Sequence, residues 1–407
     1  VEVLVPSILT WFGISFAILF VGAHLAVMGG ILLEFRRESL IRKQAGSTAL
    51  AESRQTPGIL QLLPSISIVI PARNEERNLE ALFESLRGQQ YRGALEVVLI
   101  DDRSSDATAR LFADFAASYT TGKTGGAQRT VKILNLTENH GPNYKQQALT
   151  AGLKLACGDY ILFTDADCTM EPCWATDMAT LLADPRTALA IGPVYKRMAG
   201  SCFFDLYQAF DHAVRYMYLV GGTGIGSPCG GFGNNLIVRR SALAAIGGYE
   251  AVPYSLTEDA ALIACVRTLK GARIRAGLSA GTSVMTTPVG NWRQLVTQGL
   301  RWNNGGMYGP DRTTRLVFGA LMFSIGAGIL VLPIAWLAPD LYLLPIAVYI
   351  AMTMDTVATA SIAGKALPIG SLRLIPQLLF TPVYFTFLTI LGLLRIKISW
   401  KDARLPT

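Results

Sequence analysis

Four stretches of this 407-residue chain are nearly free of charge, and they restrict its architecture more than any other feature. Val5 to Leu33 contains one ionisable residue, His24. Leu316 to Ala338 and Leu374 to Leu394 contain none, and Leu341 to Ala363 contains only Asp355. At the helical rise of about 1.5 Å per residue, each can cross a hydrocarbon core ~30 Å thick. The first is too long, and too far from a small-residue cleavage site, for a secretory signal. With 51% hydrophobic and only 16% charged residues, the chain is too apolar for an ordinary soluble enzyme, and its charges gather in the middle. The expected organisation is an N-terminal transmembrane helix (1–35), a linker (36–64), a polar domain (65–304) and a C-terminal membrane block of two or three spans (305–407).

Basic residues set the orientation. Arg36, Arg37, Arg42 and Lys43 follow the first span and no lysine or arginine precedes it, which places the polar domain in the cytoplasm. Asp340 suits an outside loop, and Lys365 and Arg373 suit a return inside. Arg395, Lys397, Lys401 and Arg404 then conflict with this scheme, because a third crossing after the domain would carry them outside. Pro376 and Pro382 would resolve the conflict by breaking the last segment into a re-entrant or interfacial piece, and its path stays open at this point. The net charge of +7 is explained by these membrane-flanking bases and calls for no nucleic acid. The six cysteines show no metal-ligand spacing and read as reduced cytoplasmic thiols.

The polar domain alternates strand and helix. Ser65 to Pro71 reads as a strand. Glu75 to Gln90 reads as a helix with Leu79, Leu82, Phe83 and Leu86 on one face. A strand from Leu95 to Ile100 ends at Asp101-Asp102, and Ser105 or Asp106 caps a further helix. A strand at Val131 to Leu134, a helix at Lys145 to Cys157 and a strand at Tyr160 to Thr164 continue the pattern. This predicts a doubly wound, Rossmann-like α/β sheet with polar loops at its strand ends, where ligands of such sheets bind. Asp165-Ala166-Asp167 closes the last of these strands. Two hard oxygen ligands there suit Mg²⁺ or Mn²⁺ shared with a diphosphate, although an isolated Asp-x-Asp is as readily a solvated turn.

Three later stretches carry polar groups. Gly221 to Asn235 is glycine-rich but lacks the strand-to-helix setting of a dinucleotide fingerprint; it reads as a turn-rich loop or as the floor of an acceptor pocket, with Cys229 and Phe232 near a sugar. Thr257 can cap a helix through Lys270, whose first turn holds Glu258 and Asp259, either as cap charges or as catalysts. In Asn291 to Asn304, Trp292, Leu295, Gly299 and Trp302 share one helical side, and Gln294, Gln298 and Arg301 form a stripe beside it. That helix suits a membrane interface, and an arginine beside a leaving anion is a common electrostatic arrangement.

Taken in order, these motifs resemble the membrane-bound glycosyltransferases of family 2, including ceramide glucosyltransferase-like and processive Gln-x-x-Arg-Trp enzymes. The resemblance runs from about Ser65 to Trp302 and includes the flanking spans. It implies a GT-A fold for the cytoplasmic α/β domain. Pro71, Asn74 and Glu75 fall in the first nucleotide loop, Asp102 stands where uracil is read, and Lys145 stands near the diphosphate with Asp165. Asp165 and Asp167 would hold the metal, Glu258 and Asp259 form the base motif, and Gln298, Arg301 and Trp302 the Gln-x-x-Arg-Trp motif. Arg103 departs from the glycine or serine more usual after the acid pair.

The resemblance further implies an inverting, metal-dependent transfer of a sugar from a UDP-sugar, with Asp259 as the one general base. A lipid hydroxyl is the expected acceptor, because the later spans are too apolar to line a polysaccharide channel. A processive polysaccharide or chitin-like oligosaccharide synthase is the alternative. A transporter would use Asp355, and an inactive scaffold would lack Asp167 or Asp259. The expected setting is a bacterial inner membrane.

Overall fold

The computed structural model describes residues 7–52, 63–119, 128–138, 142–198, 200–363, 373–396, 398–400 and 403–405. The chain begins with helix α1 (Ile8–Glu52). There follow β1 (Ile66–Ala72), α2 (Leu79–Arg87), β2 (Leu95–Asp102), α3 (Thr108–Tyr119), β3 (Arg129–Leu136), α4 (Tyr144–Leu153) and β4 (Tyr160–Phe163). Next come β5 (Cys168–Met170), α5 (Trp174–Leu181), β6 (Thr187–Ile191), β7 (Val194–Lys196) and the long α6 (Phe203–Gly224). The domain closes with β8 (Leu236–Arg239), α7 (Arg240–Ala245), α8 (Glu258–Arg267), β9 (Arg273–Ala276), β10 (Val284–Thr286) and α9 (Trp292–Tyr308). Beyond it lie α10 (Arg312–Leu330), the short α11 (Leu332–Ala335), α12 (Leu343–Ala363), α13 (Leu374–Leu393) and a small terminal hairpin.

The central sheet has the order β3-β2-β1-β4-β8-β6-β9. Its first four strands are parallel, as strand-helix alternation demands, and β8 runs antiparallel between β4 and β6. Ile66, Ile68, Val69 and Ile70 are fully buried, the pattern of a strand covered on both faces. A second sheet, β5-β10-β7, sets Thr286 opposite both Cys168 and Lys196. That register pins the segment after Asp167 to two strands far away in sequence. The expected α/β fold with flanking apolar helices is what the chain adopts.

Several boundaries differ from expectation. Residues 36–52, read as part of a linker, continue α1, and Arg37, Glu38 and Arg42 of that stretch find partners on the domain; residues 53–62 of that linker lie outside the described residues. The helix expected over 75–90 spans only Leu79–Arg87, since Asn74 takes a left-handed conformation (φ 55°) and Glu75 to Asn78 form a turn. Pro71 lies within β1 and pairs with Ile100 instead of ending the strand. Gly221 to Gly224 finish α6 and do not open a loop. Thr257 makes no side-chain cap bond, and α8 ends at Arg267. Despite Pro382, α13 is one unbroken helix.

The extended α1 is bound to the domain through two buried glutamates. Glu34 accepts from the Ala276 amide (3.1 Å), and Glu38 from the amides of Leu278 (2.6 Å) and Ser279 (3.3 Å). Those amides belong to or follow β9, an edge strand with no further neighbour to satisfy them. Arg37 and Arg275 flank Glu34, while Arg42 bridges Glu38 and Asp177. Further along, α1 and α6 touch backbone to backbone: a Cβ on Gly30 would stand 2.1 Å from the Gly221 carbonyl oxygen, and one on Gly224 1.9 Å from that of Gly30.

Among the described residues, four helices are long and apolar enough to cross a membrane: Ile8–Gln44, Arg312–Leu330, Pro339–Ala363 and Leu374–Leu393. Replacing Glu38 with alanine strips two buried amides of their acceptor and leaves Arg42 with one carboxylate fewer. Thermal unfolding in detergent should show a loss of about 1–3 kcal/mol, whereas Glu80→Ala, on an exposed helix face, should change stability by no more than about 0.5 kcal/mol.

Candidate functional site

A cavity of about 550 Å³ opens where β1, β2 and β4 end, and the later motifs fold back over it. Its walls include Pro71 near the end of β1 and Glu75 after it, Asp102 at the end of β2, Lys145 in the first turn of α4, and Asp165 and Asp167 after β4. Glu258 and Asp259 come from α8, and Gln298, Arg301 and Trp302 from α9. Two expected residues are not on this wall. Asn74 instead joins the first two loops: its amide donates to Ser104 Oγ (2.9 Å) and its side-chain oxygen accepts from the Ser105 amide (2.8 Å). Cys229 lies on a different cavity, described below.

Acidic groups dominate the strand-end side. Asp167 accepts from Thr286 Oγ1 (2.9 Å), a contact created by the β5-β10 register. Burial, then Asp165 and Glu75, raise its pKa. Lys145 Nζ lies 2.7 Å from Asp165 Oδ1 and 3.4 Å from Glu258 Oε1. Burial opposes its charge, but these carboxylates outweigh that and raise its pKa. Among the described residues no three or more His, Cys, Asp or Glu side chains form a closed metal cage. Two crowded carboxylates on an open wall nevertheless fit a hard divalent cation that takes its other ligands from phosphate and water.

Asp102 is buried and engages Arg103, whose Nε donates to Oδ1 (2.9 Å). The unusual Arg103 takes a left-handed conformation (φ 57°) and lays its guanidinium 4.5 Å from the centre of the Tyr144 ring. The departure at this position therefore braces Asp102 and Tyr144, both of which line the cavity. Asn143 caps α4, accepting from the Gln146 amide (3.2 Å), which aims Lys145 inward.

On the opposite wall, Asp259 Oδ2 accepts from the Gly233 amide (2.7 Å) and Oδ1 from its own helix at Ala260 (2.7 Å). Burial, then the neighbouring Glu258, raise the Asp259 pKa to about 6. Arg301 donates to the Leu256 carbonyl (3.0 Å), tying α9 to the loop before Glu258. Gln298 accepts from Lys196 Nζ (2.8 Å); burial lowers the Lys196 pKa to about 8. Trp302 faces the cavity and not the outer surface: His212 lies 5.3 Å away and Phe232 6.3 Å, ring centre to ring centre. Trp292, by contrast, packs among Phe203, Phe204, Tyr207 and Phe380 and remains partly exposed.

Lys196, His212 and Thr286 escape the sequence reading. His212 stacks on Phe232 (4.3 Å, 5° between planes), and neither of its nitrogens has a partner among the described residues. Burial, then Lys196 and Arg215, hold its pKa well below the usual imidazole range. No motif marks these residues; each reaches the cavity through strand pairing or through its place on α6.

A second cavity of about 600 Å³ adjoins the first. Phe16, Phe20 and His24 of α1, Tyr218 of α6, and Phe318, Leu321 and Met322 of α10 line it, with Cys229 on the glycine-rich segment. Phe232, Thr257, Asp259 and Trp302 belong to both cavities, so the apolar space meets the polar one at the Asp259 carboxylate.

Residues 31–406 match the family described as Glycosyl transferase family 21. The chain belongs to that family. This family of glycosyltransferases carries a number different from the family 2 suggested by the motifs. Curated relatives of this family 21 member include the probable glycosyltransferase YdaM of Bacillus subtilis, 26% identical over 60% of this chain and 56% of its own length. The beta-monoglucosyldiacylglycerol synthase of Trichormus variabilis is 29% identical over 48% of this chain and 40% of its own. The 4,4'-diaponeurosporenoate glycosyltransferase of Staphylococcus haemolyticus is 30% identical over 37% and 34%. The chain thus spans between about a third and just over half of these relatives. A solved structure, a mannosyltransferase from Pyrobaculum calidifontis in complex with GDP-Man and Mn²⁺, superposes with a TM-score of 0.52 at 18% identity over 94% of this chain and 99% of that one, which shows the shared fold.

The burial of this site is checked by thiol reactivity. Cys168 is buried beneath Asp167, and burial, then Asp167 and Asp165, raise its pKa well above the usual thiol value. Peptide mapping after brief maleimide treatment should find the exposed Cys157 and Cys202 modified and Cys168 modified only after denaturation.

Proposed function

We propose that this family 21 enzyme is an inverting, divalent-metal-dependent transferase that moves a sugar from a UDP-sugar to a hydroxyl of a membrane lipid, with its catalytic domain in the cytoplasm. One observation carries the reading: an apolar cavity walled by α6 and by α1 and α10, two helices apolar enough to cross a membrane, reaches the same carboxylate, Asp259, that faces the acidic nucleotide-side cavity. A lipid in that cavity brings its hydroxyl to Asp259 without leaving the bilayer. The name of the Trichormus relative, a glucosyldiacylglycerol synthase, supports a lipid acceptor.

Asp102 and the Arg103–Tyr144 pair receive the uracil end, while Pro71 and Glu75 line the approach to the diphosphate. Asp165 and Asp167 would hold Mg²⁺ or Mn²⁺, and that ion would neutralise charge on the leaving diphosphate; the Pyrobaculum neighbour contains Mn²⁺. Lys145 and Arg301 add cationic stabilisation from the protein itself. Asp259 takes the proton from the lipid hydroxyl as its oxygen bonds to the anomeric carbon and the bond to the diphosphate breaks. Glu258, held by Lys145 and by Asn143 Nδ2 (3.4 Å), keeps that base next to a fixed negative charge. No second carboxylate acts as a nucleophile, so the anomeric configuration inverts. Gln298 and Trp302 shape the junction where sugar and acceptor meet.

Three measurements test this. Asp167→Ala, or chelator added to the unaltered enzyme, should abolish transfer while leaving expression intact; full activity in chelator overturns metal dependence. Asp259→Asn should lower turnover by about 10²–10⁴-fold with donor affinity retained. A base must be ionised, so kcat/KM in the native enzyme should fall as pH drops through about 6, the value to which burial raises Asp259. Finally, labelled donor incubated with lipid extract should leave its label in the organic phase, and Ala23→Trp, which narrows the apolar cavity, should raise the lipid KM without changing that of the donor. A long, glycosidase-sensitive aqueous polymer with no organic product would favour a polysaccharide synthase.

A further inference from the structure

Of the four helices apolar enough to cross a bilayer, α13 differs from the others in its surroundings. Twenty residues give it ample length, and its hydropathy matches that of its neighbours. Composition alone would make it a crossing helix. Its contacts contradict this.

α10 and α12 run between the catalytic domain and a distant end. α10 starts where Thr314 Oγ1 reaches the Cys229 carbonyl (3.3 Å). The connection between them lies beside the start of α1, where Ser7 Oγ donates to Asp340 Oδ2 (2.5 Å) and Gly13 approaches Leu343. α12 returns until Ala363 packs against Tyr195, Leu206 and Phe210 of the domain. α13 begins at that same cluster, which Leu374 joins. From Phe380 onward it follows α9 in the same direction, while Phe385 and Leu388 on its inner face also pack with Met322 and Ile325 of α10 and Ala351 and Met352 of α12. Phe380 meets Trp292, Tyr384 Oη donates to the Leu295 carbonyl (3.1 Å), Asn303 Nδ2 donates to the Leu388 carbonyl (3.3 Å), and Tyr308 Oη donates to the Gly392 carbonyl (3.2 Å). Both ends of α13 therefore lie against the catalytic domain.

We infer that α13 does not cross the membrane but lies in its surface layer on the catalytic side, so that α1, α10 and α12 are the crossing helices. The face turned from the protein supports a lipid partner: Ile375, Leu379, Val383, Phe387, Ile390 and Leu394 are exposed at intervals of three or four, one continuous apolar stripe. The opposite face, with Gln377, Thr381 and Tyr384, is buried in the protein. An in-plane helix of this kind sets its apolar stripe among the acyl chains. Arg395, which follows it in sequence, then remains on the catalytic face, where anionic headgroups attract it. The charge conflict disappears without a break in the helix. The same packing fixes the height of α9, and with it Gln298, Arg301 and Trp302, relative to the bilayer.

The test is topological and independent of activity. In the full chain, Arg395→Cys and Leu337→Cys are made separately, the latter in the exposed connection before α12. Right-side-out and inverted vesicles are treated with a membrane-impermeant maleimide, and labelled peptides are identified by mass spectrometry. Native Cys157, exposed on the catalytic domain, marks that face. Cysteine 395 should label in the vesicles that label Cys157 and lose its label in the other orientation, with position 337 doing the reverse. Labelling of 395 together with 337 overturns the inference, as does labelling of 337 together with Cys157. Ile396→Cys, at a second exposed position beyond the apolar stripe, gives the same reading if the first variant fails to accumulate.

Discussion

The grip of α1 on the edge of the central sheet is the interaction on which the remaining geometry depends. An edge strand leaves amides without partners, and here the partners are the carboxylates of Glu34 and Glu38, carried on the same helix that enters the membrane region. Because the helix is continuous from Ile8 to Glu52, those bonds fix the domain rigidly to the apolar segments. The glycine contact between α1 and α6 adds a second anchor, since only residues without side chains allow the backbones to approach so closely. A flexible linker at this point would leave the apolar cavity free to drift from Asp259.

The site itself is a problem in charge placement. Glu75, Asp165, Asp167, Glu258 and Asp259 all face one cavity, with Lys145 among them. Burial first, and then this crowding, raise the pKa of Asp167 and Asp259, and the surrounding groups separate the two acids into different settings. Asp167 is held by a threonine hydroxyl on a neighbouring strand; Asp259 is held by a backbone amide beside the apolar space. Under the proposed function, one acid would share a cation with phosphate and the other would accept a proton from a group arriving through the bilayer.

Much of this arrangement was legible in the sequence because it is local. The buried runs of β1, β2 and β4 follow directly from consecutive apolar residues, and the carboxylates that close β2 and β4 necessarily stand at one end of a parallel sheet. The inward face of α2 is visible in the spacing of Leu79, Leu82, Phe83 and Leu86. Errors arose where a local preference met a distant partner. Asn74 was read as a nucleotide ligand, but its left-handed backbone and its bonds to Ser104 and Ser105 make it a link between loops. Residues 36–52 continue α1 where a linker was expected, and several of their charges meet the domain.

By itself, the sequence determined which segments are apolar enough for a bilayer, the alternation of strand and helix, and the order of acidic motifs at the strand ends. These depend on composition and on periods of two or three to four residues, which need no knowledge of distant neighbours. The tertiary structure decided what depends on pairing across the chain. It brought Lys196 and Thr286 to Asp167 through a three-stranded sheet, placed His212 and Trp302 around Phe232, and moved Cys229 to the apolar side. It also decided the setting of α13, because an apolar helix has the same composition whether it crosses a membrane or lies in it. Only the contacts at its two ends distinguish the two, and those are made with residues far away in sequence.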